Sequence, residues 1–196
     1  MTGPAGTGPR PVTREPALLL SLQPISLRSA LSVLNGGPLR PGSERWHPEY
    51  PLLESMLALS MNLAAQQVIG WSQDRTPTWW MYQLCVSDPR VPDPRVSDPG
   101  GSAAAGKPVV VGDIGFHGPP GADDGRVDIG YAVVPSMRGR GIATAACAAL
   151  VDRAWSDGAR EIHADTEPGN SPSRRLLLSA GFRPQPDGSY GLTRPW

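Results

Sequence analysis

Apolar positions recur along this chain at two spacings, and the changes between them mark out its elements. Residues 18–25 form a short apolar run that reads as a strand. Ser26 then caps a helix with Leu27, Ala30, Leu31 and Leu34 on one side, stopped by Asn35-Gly36-Gly37. A loop over 38–51 holds Trp46, His47 and Tyr50. Residues 52–67 return to helical spacing through Leu53, Met56, Leu57, Met61 and Ala64. Residues 68–71 read as a brief strand, 74–78 as a turn around Pro77, and 79–86 as the next strand. Two β-branched runs, 109–116 and 128–134, flank a turn at 118–125. Over 142–155, Ala145, Ala146, Ala149 and Ala154 suit a helix lying close against a sheet, and Gly158 ends it. Residues 161–166 are a further strand. Ser171-Pro172 serves as N-cap and first-turn pair for a helix over 173–180, closed by Gly181. Residues 182–196, turning at Asp187-Gly188, form a closing hairpin. By spacing alone this is an α+β order.

Two segments resist any period. Residues 1–16, rich in Gly, Pro and Thr, read as disordered. Val86-Ser-Asp-Pro-Arg, Val91-Pro-Asp-Pro-Arg and Val96-Ser-Asp-Pro-Gly form a tandem repeat whose Asp-Pro steps forbid a helix and remove ladder donors. Residues 87–106 are therefore a flexible insertion without catalytic duty, a binding epitope being the lesser alternative, within a single domain over 17–196.

Composition then narrows the classes. The 196 residues suffice for one domain with a real core. Lys+Arg and Asp+Glu both number 18, so no global basic field argues for nucleic acid. Cys85 and Cys147 cannot make a disulfide framework, and the three histidines lack metal-ligand spacing, so no metal is expected. The run at 17–22 is too short for a signal segment or a membrane span. A cytoplasmic protein without membrane contact is the expectation.

The stretch with chemistry in it is 126–143. An apolar strand stops at Pro135, and Arg138-Gly139-Arg140-Gly141 leads into the Ala-rich helix. Strand, glycine turn and helix start is the arrangement in which backbone N–H groups converge on an anion and the helix dipole adds positive potential. The glycines allow a phosphate to approach where a Cβ would collide. Neither Gly-x-x-x-x-Gly-Lys-Ser/Thr nor Gly-x-Gly-x-x-Gly occurs here. The plainer alternative is an ordinary glycine turn with arginines in solvent. RNA binding through Arg-Gly repeats is disfavoured by the zero net charge and the single such pair.

Arg138-x-x-Gly141-x-Ala143 resembles the Gln/Arg-x-x-Gly-x-Gly/Ala signature of the GNAT superfamily of acyl-CoA-dependent N-acetyltransferases. Downstream, Asp165-Thr-Glu-Pro-Gly-Asn170-Ser-Pro-Ser173, leading to Ala180-Gly181-Phe182, resembles the second GNAT motif. The match spans about 109–182 and is most similar to the branch holding the ribosomal-protein N-terminal acetyltransferases. The resemblance implies a mixed, mostly antiparallel sheet of six to seven strands flanked by about four helices. Its fourth and fifth strands run parallel and splay, with acetyl-CoA between them. By the same resemblance, the backbone at Gly139, Arg140, Gly141, Ile142, Ala143 and Thr144 binds the pyrophosphate, with the side chains of Arg138 and Arg140 less fixed. Tyr131, Ala132 and Val133 offer main-chain groups to the pantetheine arm, one N–H polarising the thioester carbonyl. Asn170 bonds the pantetheine amide, the reading its position favours over that of a simple turn residue. The partners implied are acetyl-CoA and an amine acceptor, with room left for a homodimer.

An attacking amine must be neutral. At pH 7 about a tenth of α-amines are, against a few in ten thousand lysines, so a Lys acceptor asks for roughly 4–5 kcal/mol of deprotonation that an α-amine mostly avoids. Asp165 occupies the place of a glutamate base in the ribosomal branch; being one carbon shorter, it implies a relaying water. Its alternative is a polar strand-end residue, and Asp128 and Glu167 are lesser candidates. Two positions depart from the family: Leu177 stands where relatives often carry an acid tyrosine, and Ala132 where this branch has Glu or a bulky residue. Acid catalysis then falls to Ser173, Tyr131 or water, or is unnecessary; the plainer and preferred reading of Ser173 is a helix-start hydrogen bonder. Trp46 and Tyr50 are candidates to line a pocket. His117 and His163 read as structural, and Cys147 as core. Two functions follow: direct acetyl transfer to a primary amine, or a non-catalytic acyl-CoA-binding module.

Overall fold

The computed structural model describes residues 18–37, 45–69, 78–87 and 108–194. In chain order these form β1 (Leu19–Pro24), α1 (Leu27–Leu34), α2 (Leu53–Ile69), β2 (Met81–Ser87), β3 (Val109–Phe116), β4 (Arg126–Val133), α3 (Ile142–Ser156), β5 (Glu161–Ala164), α4 (Ser171–Ser179), β6 (Arg183–Pro184) and β7 (Tyr190–Thr193). The strands make one seven-stranded sheet in the order β1-β2-β3-β4-β5-β7-β6. Neighbours are antiparallel except β4 with β5, which run parallel. Mixed, mostly antiparallel and flanked by four helices, this is the expected architecture.

Local chemistry explains the elements. The Ser26 hydroxyl accepts the Ser29 N–H at 3.1 Å and starts α1. Helix α3 lays Ile142, Ala146, Cys147, Leu150 and Ala154 on the sheet, where small side chains permit close approach. Burial pushes the Cys147 thiol up to about 11, in keeping with a core residue. Asn62, wholly buried in α2, donates from Nδ2 to the carbonyls of Trp79 (3.1 Å) and Phe116, tying the helix to β3 and to the start of β2. Trp80 lies in the core with its Nε1–H on the Ile25 carbonyl at 2.6 Å.

Four expectations change. The strand foreseen at 68–71 does not form in its described part, because Val68 and Ile69 end α2; no helix breaker precedes Gly70. Strand β5 stops at Ala164, short of residue 166. Helix α4 is capped by Asn170, not Ser171, with Ser171 and Pro172 already in its first turn. Tyr50 is buried and stacks edge-on against Trp46 at 5.0 Å, so it lines no open pocket. The disorder read for 1–16 and nearly all of the insertion at 87–106 lie outside the described residues, Ser87 being the end of β2.

The feature that positions a site is the seam between β4 and β5. Pairing runs from Arg126 with Glu161 to Ile129 with Ala164 and then stops, leaving residues 130–133 of β4 without a β5 partner. A gap therefore opens in the middle of the sheet.

Candidate active site

Along one rim of the gap, β4 turns into α3. Pro135 leads a short 3-10 turn, Pro135–Met137. Gly139 (φ +73°) and Gly141 (φ +76°) then take left-handed conformations that disfavour any other residue. Gly141 is the N-cap of α3 and supplies no side-chain acceptor, so the N–H groups of Ile142, Ala143 and Thr144 have no intrahelical partner and no cap. A Cβ added at Gly139 or Gly141 meets nothing within 4 Å: both glycines border open space. The two arginines divide. Arg138 turns back, its Nε–H donating to the Val133 carbonyl at 2.8 Å, while Arg140 is exposed.

Register decides which β4 peptide groups face the gap. His117 N–H donates to the Asp128 carbonyl and Val134 N–H to that of Val111. In an antiparallel ladder hydrogen-bonded pairs alternate, so Gly130 and Ala132 turn their peptide groups to β3. Ile129 faces β5, and Tyr131 and Val133 face the open gap. The expectation for Ala132 is corrected accordingly: its main chain belongs to the β3 ladder.

Side chains alternate as well. Tyr131 rises on the face carrying α3 and α4, its hydroxyl 2.6 Å from Ser173 Oγ. Burial raises the phenol above its ordinary value, against the Ser173 hydrogen bond. Ser173 is itself placed by Asn170, an exposed residue whose Oδ1 accepts the Ser173 N–H at 3.2 Å. Asp165 follows the last paired residue of β5 and is exposed; Glu167 is exposed as well. Asp128 is engaged by Arg126, with Nη2 at 3.0 Å and Nε at 3.3 Å. Leu177 is wholly buried and packs as core.

The profile of the acetyltransferase (GNAT) domain matches residues 64–183, more than half of the chain. This chain belongs to the GNAT acetyltransferase family. As a GNAT protein it is an acyltransferase, of a family that uses acyl-CoA. Solved structures agree in fold. They include an acetyltransferase from Agrobacterium tumefaciens (16% identity over 95% of this chain and 100% of that one, TM-score 0.51). Two others are a ribosomal-protein-S5-alanine acetyltransferase from Vibrio fischeri (14%, 90% and 96%, TM-score 0.52) and RimJ from Mycobacterium smegmatis in complex with CoA-disulfide (21%, 90% and 84%, TM-score 0.52). A search of curated proteins gives no match.

Two features of this GNAT site were not foreseen. Ser136, in the 3-10 turn, donates from N (3.1 Å) and Oγ (2.8 Å) to Glu49 Oε2, and lies 3.3 Å from His47 Nε2. These bonds, with His47 and Arg138 nearby, hold the Glu49 carboxyl below its usual range. The loop before α2 is thereby fastened to the turn that begins the cradle. The second feature is His117, half-buried beside Gly130. Neither has a sequence signature, because each depends on residues that only pairing of distant segments brings together.

Proposed function

We propose that this chain moves an acetyl group from acetyl-CoA to a primary amine by direct attack in a ternary complex. One observation carries the reading: β4 parts from β5 where Tyr131 and Val133 face outward, and the same rim continues into an uncapped helix N-terminus beside two left-handed glycines.

The residues present suit this co-substrate. Amides from Gly139 to Thr144 hold the diphosphate. The main chains of Tyr131 and Val133 pair with the pantetheine arm as a sheet edge pairs with an added strand, and one of their N–H groups polarises the thioester carbonyl. Asn170 offers its amide NH2. When bound, acetyl-CoA supplies an activated acyl group on a good leaving thiol. Asp165, exposed just past the last β4–β5 pair, is a carboxylate available to help the ammonium lose its proton, and the Tyr131–Ser173 hydroxyls are available to protonate sulfur. Proton cost favours an α-amine, such as a protein N-terminus, over a lysine. That the described strands share one sheet supports reading 17–196 as one domain, with 87–106 inserted between β2 and β3.

The test follows free thiol while the protein meets acetyl-CoA and a panel of peptides, aminoglycosides and polyamines, alongside calorimetry with CoA. Turnover on at least one amine is expected. Gly141→Glu, which places a carboxylate in the cradle, should weaken CoA binding by about 100-fold or more, a change worth roughly 3 kcal/mol. Undiminished affinity in that variant sinks the reading. Buried Leu177, in a position where a phenol is common among relatives, favours a second reading, an acyl-CoA-binding module. That module binds CoA tightly and releases no thiol above background.

A further inference from the structure

The register that opens the gap also hangs a histidine over its apex. His117 follows the last residue of β3, and its N–H still reaches the Asp128 carbonyl oxygen at 2.8 Å. It is therefore the cross-strand partner of Asp128, and its side chain rises on the face shared by Asp128, Gly130 and Ala132. The imidazole leans over Gly130: a Cβ there would lie 2.5 Å from Nε2 and 3.3 Å from Cε1. Gly130 is the first β4 residue beyond the last β4–β5 pair, Ile129 with Ala164. Nε2 thus stands at the apex of the gap, one residue before Tyr131, whose N–H faces into it. The Tyr131–Ser173 hydroxyl pair lies on the other face of the sheet.

The surroundings suit a proton acceptor. Burial pulls the imidazole below its ordinary value, opposed by the carboxylates of Asp128 on β4 and Asp165 after β5, so the ring is neutral at pH 7. Among the described residues this face also carries Arg126, paired with Asp128 at 3.0 Å, Glu161 2.8 Å from His163 Nε2, the buried Asp113 opposite Ala132, and Arg183 beyond Gly191. Helix α2, which covers the face, brings Ala65 against Gly118; its one described charged residue, Glu54, stands instead beside Asp113.

We infer that His117 Nε2 is the base that takes the proton from the acceptor ammonium. The inference rests on the acetyl-transfer reading. His117 takes one proton from the ammonium, and the freed lone pair forms the C–N bond to the acyl carbon. The C–S bond breaks with its electron pair on sulfur. The nitrogen's surplus proton reaches that sulfur by way of the Tyr131–Ser173 hydroxyls, and His117 releases its own to solvent. An imidazole is matched to an α-amine, whose pKa is near 8, far better than to a lysine near 10.4.

The experiment measures thiol release against pH for the full chain, His117→Gln and Asp165→Asn, with CoA affinity by calorimetry. In the wild type kcat/KM should fall on the acid side as His117 protonates. His117→Gln should lose about 10²–10³-fold in kcat, keep its CoA affinity and lose that acid limb. Asp165→Asn should keep its CoA affinity, retain the acid limb and move it to lower pH, since the carboxylate it removes favours the protonated ring. A His117→Gln protein near wild-type kcat with the limb intact, or an Asp165→Asn protein without the limb, overturns the assignment while acetyl transfer stands. A wild type that binds CoA and acetylates no amine overturns both.

Discussion

Single side chains decide whether this site does chemistry or only holds a ligand. Leu177 stands where relatives often carry an acid tyrosine, and under the acetyl-transfer proposal the Tyr131–Ser173 contact at 2.6 Å offers another donor from a different element. Because burial raises its pKa, the Tyr131 phenol keeps its proton through neutral pH and is available as a donor. A thiolate needs modest help to leave, with a free thiol pKa of only about 8.5. Tyr131→Phe should therefore lower kcat by about tenfold, less than the roughly 10²–10⁴-fold that general acids typically contribute, and leave CoA affinity unchanged. Steady-state kinetics beside calorimetry separate these terms; a fall in affinity alone would make the hydroxyl a binding group.

At the scale of elements, the run of strands and helices was legible because each has its own period and punctuation. The strand 109–116 came out with both ends correct, while errors clustered at ends that tertiary contacts set. Val68 and Ile69 look β-branched enough for a strand but continue α2, and Asn170 outcompetes Ser171 as cap because its Oδ1 reaches the Ser173 N–H. The glycines of the cradle were legible through a motif, since left-handed backbone constrains sequence directly. The direction of β4 peptide groups was not. It depends on whether residue 130 or 131 bonds to β3, which a single sequence leaves open, and so Ala132 was grouped with its neighbours. The closeness of His117 to Gly130 was not legible either, because only the pairing of β3 with β4 brings the two together.

For the whole molecule, one buried carboxyl links folding to pH. Asp113 on β3 is buried against the Ser55 and Tyr50 hydroxyls; burial outweighs their pull and the nearby Glu54 adds to it, raising its pKa from 3.8 to about 6. With the folded value above the unfolded one, the native state holds the extra proton between them. The stabilisation is complete below pH 3.8 and is lost as pH rises through about 6. About two units correspond to roughly 3 kcal/mol. Asp113→Asn should flatten that slope and be the more stable protein at pH 8, as denaturant titrations across the range would show. If the two chains respond alike to pH, Asp113 is not the group responsible. A second consequence concerns what Gly130 lacks. A methyl group there collides with the tip of a ring that can swing aside, so Gly130→Ala should melt near the wild-type temperature yet evict the imidazole from its post. A chain altered in this way would pass every check of folding and cofactor affinity while turning over at the pace of the His117→Gln enzyme.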